Sequence, residues 1–233
     1  MTESGSGSRR RYGGKTAEER REERRDQVLR AGLAIWQEQG WAAVTMRGVC
    51  SRAGLTDRYF YESFRDRDDL LGTLFDQVRD ETLASLLTAF ETAGDRTAGG
   101  QLRQALQTIV TSLTEDPERA QVLFGDHAGS AVLEQRRRDT VALTTDLMVT
   151  LARPFLRADT DESALRVDTL FGLGGFVEVV LAWRAGAVPL TPAALVAHFA
   201  EVGSALAARH LDPDLEVDGR LGPAGADALG STP

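Results

Sequence analysis

Cysteine is nearly absent from this chain. Cys50 is the only one, which excludes an intramolecular disulfide and a thiolate metal cluster and fits a reducing cytoplasm. Histidine is almost as scarce, with three residues, and neither His198 nor His210 has a carboxylate or cysteine at metal-ligand spacing. No zinc site is therefore expected. Long apolar runs are missing as well. The most hydrophobic stretch, 170–190, is broken by Glu178, Arg184 and Pro189, whereas a membrane span needs about 20 mostly apolar residues. Residues 1–15 are polar, with no apolar segment of the kind a secretory signal carries. There is no internal repeat and no period-2 alternation bounded by turns, so no sheet is expected. An activated-nucleophile signature and a phosphate-binding glycine loop are both missing. Neither enzymatic activity nor a cofactor is expected.

The 233 residues are 42% hydrophobic, enough for a real core and too many for a fully disordered chain. The formal net charge of −8 speaks against nucleic acid if taken as an average. The distribution says otherwise. Residues 1–70 hold 14 Lys or Arg and 12 Asp or Glu, while the remainder hold 13 and 23. A mildly basic head precedes an acidic body.

Nearly every break in the chain carries a helix start signal. Residues 1–15 are Gly/Ser-rich around Arg9, Arg10 and Arg11 and read as a flexible basic arm. Thr16 and Glu19 have capping-box spacing and open a helix predicted to run to about Gln39, with Gly40 as its terminator. Thr45 and Thr56 each precede a short segment. Asp66 and Asp69 open a long helix to about Glu91. Asp116-Pro117 and Thr191-Pro192 set a capping side chain before a proline suited to the first helical turn, and Asp161 can cap a helix to about Ala185. From about Asp212 the chain is rich in proline, glycine and acid, and disorder is expected. The prediction is an all-α protein of about nine helices. Its expected parts are an arm (1–15), a small helical domain (16–65), a larger helical domain (66–211) and an acidic tail (212–233).

The most informative stretch runs from Thr45 to Phe64. Two short helices flank Ala53-Gly54-Leu55, where Gly54 can take the positive φ that a tight turn between crossed helices needs. Val49, Leu55, Phe60 and Phe64 supply a small three-helix core with Leu33 and Trp36. Arg58, Tyr59 and Tyr61 are left on the outer face of the second helix. This is the layout of a helix-turn-helix, whose second helix enters the major groove of DNA. With Gly40, Thr45, Ala53-Gly54-Leu55-Thr56, Tyr61, Phe64 and Asp68-Asp69-Leu70 at these spacings, the chain resembles the TetR family of bacterial transcriptional regulators. The resemblance covers about residues 20–70, and the rest by helix count and length.

The resemblance implies roles by position. Thr45 and Thr56, at N-caps, would meet phosphate oxygens with hydroxyl and free N–H groups. Tyr61 takes the place of a phosphate-contacting tyrosine. Arg67 stands where the family usually has lysine, and its fork can hold phosphate bidentately. Arg58 and Tyr59 would meet base edges. Arg58 departs from the family, which often has Gly or Pro there, and a guanine contact is open to it. Asp57 has three open roles: helix cap, orienter of Arg58, or acceptor from a cytosine amino group. Arg47 is either a phosphate ligand or a solvated helix charge, and so is Arg52. The arm is either a solubilising tail or a DNA-binding arm.

In the body, the segment 163–185 is apolar almost all round and must be covered on both sides. The resemblance implies a homodimer through the last two long helices, with Phe176, Val180, Trp183, Leu195, Phe199, Val202 and Leu206 at the interface. It also implies a pocket for a small hydrophobic or amphipathic effector, with Phe75, Leu106, Ile109, Val110, Phe124, His127 and Phe171 as candidate lining residues. The resulting expectation is a cytoplasmic, nucleoid-associated homodimer on double-stranded operator DNA, a repressor relieved by its effector. The other functional reading is a helical ligand-binding or interaction module that has lost DNA binding. A regulator triggered by a partner protein is equally compatible with the sequence.

Overall fold

The structure, a computed structural model, describes residues 16–212 and Leu215. The expected arm and nearly all of the expected tail lie outside the described residues. Nine α-helices occur among the described residues: α1 (Ala17–Gln39), α2 (Met46–Ala53), α3 (Asp57–Tyr61), α4 (Arg67–Glu91), α5 (Ala98–Glu115), α6 (Pro117–Phe124), α7 (Ala131–Ala152), α8 (Glu162–Arg184) and α9 (Pro192–Ala207). No strand is present among them, and a lone bridge pairs Leu156 with Leu211.

The capping side chains set these boundaries. Glu19 N–H donates to Thr16 Oγ1 at 3.1 Å, and the Glu19 carboxylate accepts from Thr16 N–H, closing the capping box. Asp66, Asp116, Asp161 and Thr191 accept from the first-turn amides of Asp69, Arg119, Ser163 and Ala194 at 2.8–3.2 Å. Gly40 ends α1 at φ 84°.

The chain divides into two compact units, Met1–Leu74 and Phe75–Pro233. The division falls inside α4, not at its start. Leu70, Leu71 and Leu74 are buried, and a Cβ on Gly32 of α1 would come within 3.1 Å of Leu74 and 3.4 Å of Leu70. The first two turns of α4 therefore belong to the core of the first unit. That core also contains Val28, Ile35, Trp36, Val44, Val49, Phe60 and Phe64, while Leu33 and Leu55 are half-buried. In the second unit, α5, α6, α8 and α9 share a core built from Leu106, Ile109, Val110, Leu113, Val180, Leu195 and Val196.

Gly54 holds the α2–α3 turn at φ 67°, ψ 30°, and a Cβ there would meet nothing within 4 Å. A substitution at this position is therefore opposed by the backbone alone. Gly54→Ala should lower stability of the first unit by about 1–2 kcal/mol, and Gly54→Asn by less, because asparagine visits this conformation more readily. Urea denaturation of the two variants measures the order. Alanine equal to or better than asparagine would contradict it.

Candidate functional site

In the first unit, Thr45 caps α2 by accepting from Gly48 N–H at 3.1 Å. Across the turn, Leu55 N–H donates to Cys50 C=O at 3.0 Å. Phe60 is fully buried and tilts against Phe64 with ring centroids 5.7 Å apart. These contacts fix the rotation of α3. With Phe60 inward, Arg58 and Tyr61 project outward, their side chain and residue 85% and 59% exposed. Thr45, Arg47, Thr56 and Asp57 are exposed as well. Thr56 is the N-cap of α3 but its side chain makes no capping bond. The structure thus brings Thr45, Arg47, Thr56, Asp57, Arg58 and Tyr61 onto exposed positions of two short helices joined by one turn. Burial pushes the Cys50 thiol above its ordinary value, and the neighbouring Asp57 charge adds to the effect, so this thiol stays protonated.

Three side chains sit differently from the sequence expectation. Tyr59 is half-buried, with the Arg24 guanidinium of α1 4.5 Å above its ring. Arg24 also meets Glu62 at 3.2 Å, and Arg21 donates to the Glu62 carbonyl at 2.5 Å. Together they tie α1 to the end of α3. The second is Arg67. Its Nε donates to Val44 C=O at 2.5 Å and its Nη2 to Trp41 C=O at 2.8 Å, and the guanidinium lies over the Trp41 ring. Those donors fix the segment leading into Thr45, so in this arrangement Arg67 positions the α2 cap. The third is Arg52, whose fork is held by Glu38 at 2.5 and 2.7 Å. Spacing gives no signal of such partners, which come from elsewhere in the fold. The expected outward placement of α3 left them out.

The second unit contains an apolar chamber of about 380 Å³, within the usual range for small-molecule sites. Phe75, Leu106, Ile109 and Phe124 line it. Three expected lining residues do not. Val110 is spent in the helix core, and Phe171 points away with 72% exposure. His127 lies edge-on to Phe75, with ring centroids 5.7 Å apart, outside the lining. The wall residues the sequence reading missed come mostly from α4, α7, α8 and α9, among them Leu83, Phe90, Thr144 and Leu151, together with Asp168 and His210. Val141, Thr144, Met148 and Leu151 recur at helical spacing, a signal available in the sequence.

Burial lowers the His127 pKa below its ordinary value. The folded protein therefore resists a proton that the unfolded chain accepts near pH 6.5. Stability should fall as pH drops below that value, with a slope of up to about 1.4 kcal/mol per pH unit from this one group. Denaturation across pH 5–8 should show His127→Asn to be flatter than the parent. An equal slope in both would refute the assignment.

Of the expected dimer residues, Phe176, Phe199, Val202 and Leu206 line this chamber. Val180 and Leu195 are 0% exposed inside the unit, Phe176 and Phe199 pack as tilted rings with centroids 4.7 Å apart, and Trp183 Nε1 donates to Leu190 C=O at 2.8 Å. Leu206 is half-buried beside Gly172. Of that set Val202 alone is exposed, and the outward apolar side chains of α8 are Val167, Leu170 and Phe171. An all-round apolar helix left the choice of face undetermined, and α5, α6 and α9 cover the one that had been assigned to a partner.

Residues 28–74 match the family model described as bacterial regulatory proteins, tetR family. The chain is also similar in fold to solved structures across most of its length. A transcriptional regulator from Rhodococcus sp. Rha1 aligns with TM-score 0.62 and 18% identity, covering 80% of this chain and 97% of that one. The fatty acid degradation regulator FadR from Bacillus halodurans gives 0.59 and 18%, with the same two coverages. A TetR-like transcriptional regulator from Rhodococcus sp. RHA1 gives 0.55 and 17%, covering 80% and 94%. No curated protein matches the chain in sequence.

Proposed function

We propose that this chain, a bacterial regulatory protein of the tetR family by its residues 28–74, is a homodimeric repressor that reads operator DNA with α2 and α3 and is released by a small molecule. The exposed set on those two helices carries the reading. Thr45 and Thr56 offer hydroxyls at helix starts, Arg47 and Tyr61 are free to meet phosphates, and Arg58 extends toward base edges. Tyr59, steadied by Arg24, presents its edge to the bases. Arg67 keeps the Thr45 cap in register.

A single short reading helix gives little discrimination, and two heads on half-sites about 34–36 Å apart multiply it. The exposed Val167, Leu170 and Phe171 of α8 supply the apolar surface for a second copy. The acidic charge of the body would keep DNA on the heads. Release follows population shift: the effector must bind better to a conformation whose heads no longer match the half-site spacing. Helix α4 suits the coupling, because Leu70, Leu71 and Leu74 belong to the head core while Phe75 to Phe90 contribute to the chamber wall.

Footprinting on the neighbouring promoter DNA, with sedimentation of the complex, tests the reading. Two protected half-sites one helical turn, or a multiple of it, apart and an even number of chains per duplex are expected. One chain on a single site would defeat the dimer.

A further inference from the structure

We propose that the chamber selects a single-chain aliphatic molecule bearing a terminal hydroxyl, which donates to Asp168. The inference rests on reading the body as an effector domain.

Ion pairs give the chamber its direction. Arg137 meets Glu178 at 3.8 Å, Arg153 meets Glu162 at 3.7 Å, and Asp146 pairs with Arg166 between them. Helices α7 and α8 are therefore antiparallel. Arg136 meets Asp76 at 3.4 Å, which sets Phe75 and Arg79 at the Arg137 end. The α7 lining runs from Arg137 to Ala152, about 22 Å of helix. Spread over that length, a volume of about 380 Å³ is elongated, a shape that suits an extended chain better than a compact ring system.

The two ends differ in chemistry. At the first, the Arg79 donors are already held by Asp76 and Asp80 at 2.6–2.8 Å, and Arg137 is paired with Glu178 at 3.8 Å. At the second, Asp168 Oδ2 accepts from His210 Nε2 at 2.7 Å and Arg209 Nη1 at 2.8 Å, while Oδ1 has no hydrogen-bond partner among the described residues. The chain around His210 is itself tied down. The His210 carbonyl accepts from Arg157 N–H at 3.0 Å and from the Thr160 hydroxyl at 2.8 Å, and Asp212 N–H donates to Phe155 C=O at 2.9 Å. Asp168 is thus a fixed carboxylate in an apolar wall with one oxygen to spare.

That oxygen selects a donor. A hydrocarbon end would dry the carboxylate without replacing water, and a carboxylate end would meet a like charge. Arg209 already balances Asp168, so an ammonium would bring a second, unmatched cation into the wall. A hydroxyl supplies the hydrogen bond and no charge.

Calorimetric titration of the full chain without DNA, using 1-decanol, its methyl ether, decylamine, decanoate and 2-naphthol, tests this. Decanol should bind tightest, about tenfold above the ether. Asp168→Leu should bring decanol and ether to within about twofold. Should that variant fail to fold, the parent series decides alone. Equal binding of alcohol and ether, or tighter binding of amine, decanoate or naphthol, overturns the proposal and leaves the effector reading standing. No binding by any chain would sink the effector reading itself and leave DNA recognition intact.

Discussion

Phe60→Ala is expected to remove about 3–5 kcal/mol from the first unit. Phe60 is fully buried and touches both Tyr61 and Phe64 through ring contacts. It is the side chain that turns Arg58 and Tyr61 outward. A small domain holds on the order of 5–15 kcal/mol in all, so the loss takes a large share of its stability. Hydrogen exchange should show amides of α1, α2 and α3 opening, while α7, α8 and α9 keep their protection, and duplex binding should vanish. Retained protection in α2 and α3 would mean that Phe60 is not the pivot of this core.

Arg58→Ala and Arg47→Ala should separate base reading from phosphate anchoring. Arg58 is 85% exposed and lightly held by Glu62 at 3.6 Å, so it is free to reach a base edge. Its loss should cost about 1–3 kcal/mol on the preferred site and relax the preference at one base position. Arg47 is exposed on the first turns of α2 and makes no ion pair among the described residues. Its loss should weaken binding to all sequences alike and reduce the salt slope by about one. Titrations of a preferred and a scrambled duplex at several salt concentrations measure both. The opposite pattern would exchange the two roles.

Several helix starts were legible because the capping side chains do local work, whereas the starts of α5 at Thr97 and α7 at Ser130 were not read. Thr16, Asp66, Asp116, Asp161 and Thr191 each act within a few residues of their position. The α2–α3 turn was legible for the same reason, since Gly54 takes the backbone conformation its neighbours require. Tertiary partners were not. Arg67 suits phosphate and backbone carbonyls equally well, and only the fold brings Trp41 and Val44 to it. Tyr59 lies under an arginine 35 positions away in sequence. Helix α8 is apolar on every side, so its sequence could not say that Val180 faces inward and Phe171 outward. The Asp168 and His210 pair, 42 residues apart, has no local signature at all.

Charge is where the average misleads most: −8 overall conceals a mildly basic head. The most direct measurement is fluorescence anisotropy of the full chain on duplexes selected from a random pool, against scrambled duplexes at the same salt. Recognition by α2 and α3 predicts a preference of about 10³-fold or more at physiological salt. A ratio near one, with binding lost as salt rises, would contradict it.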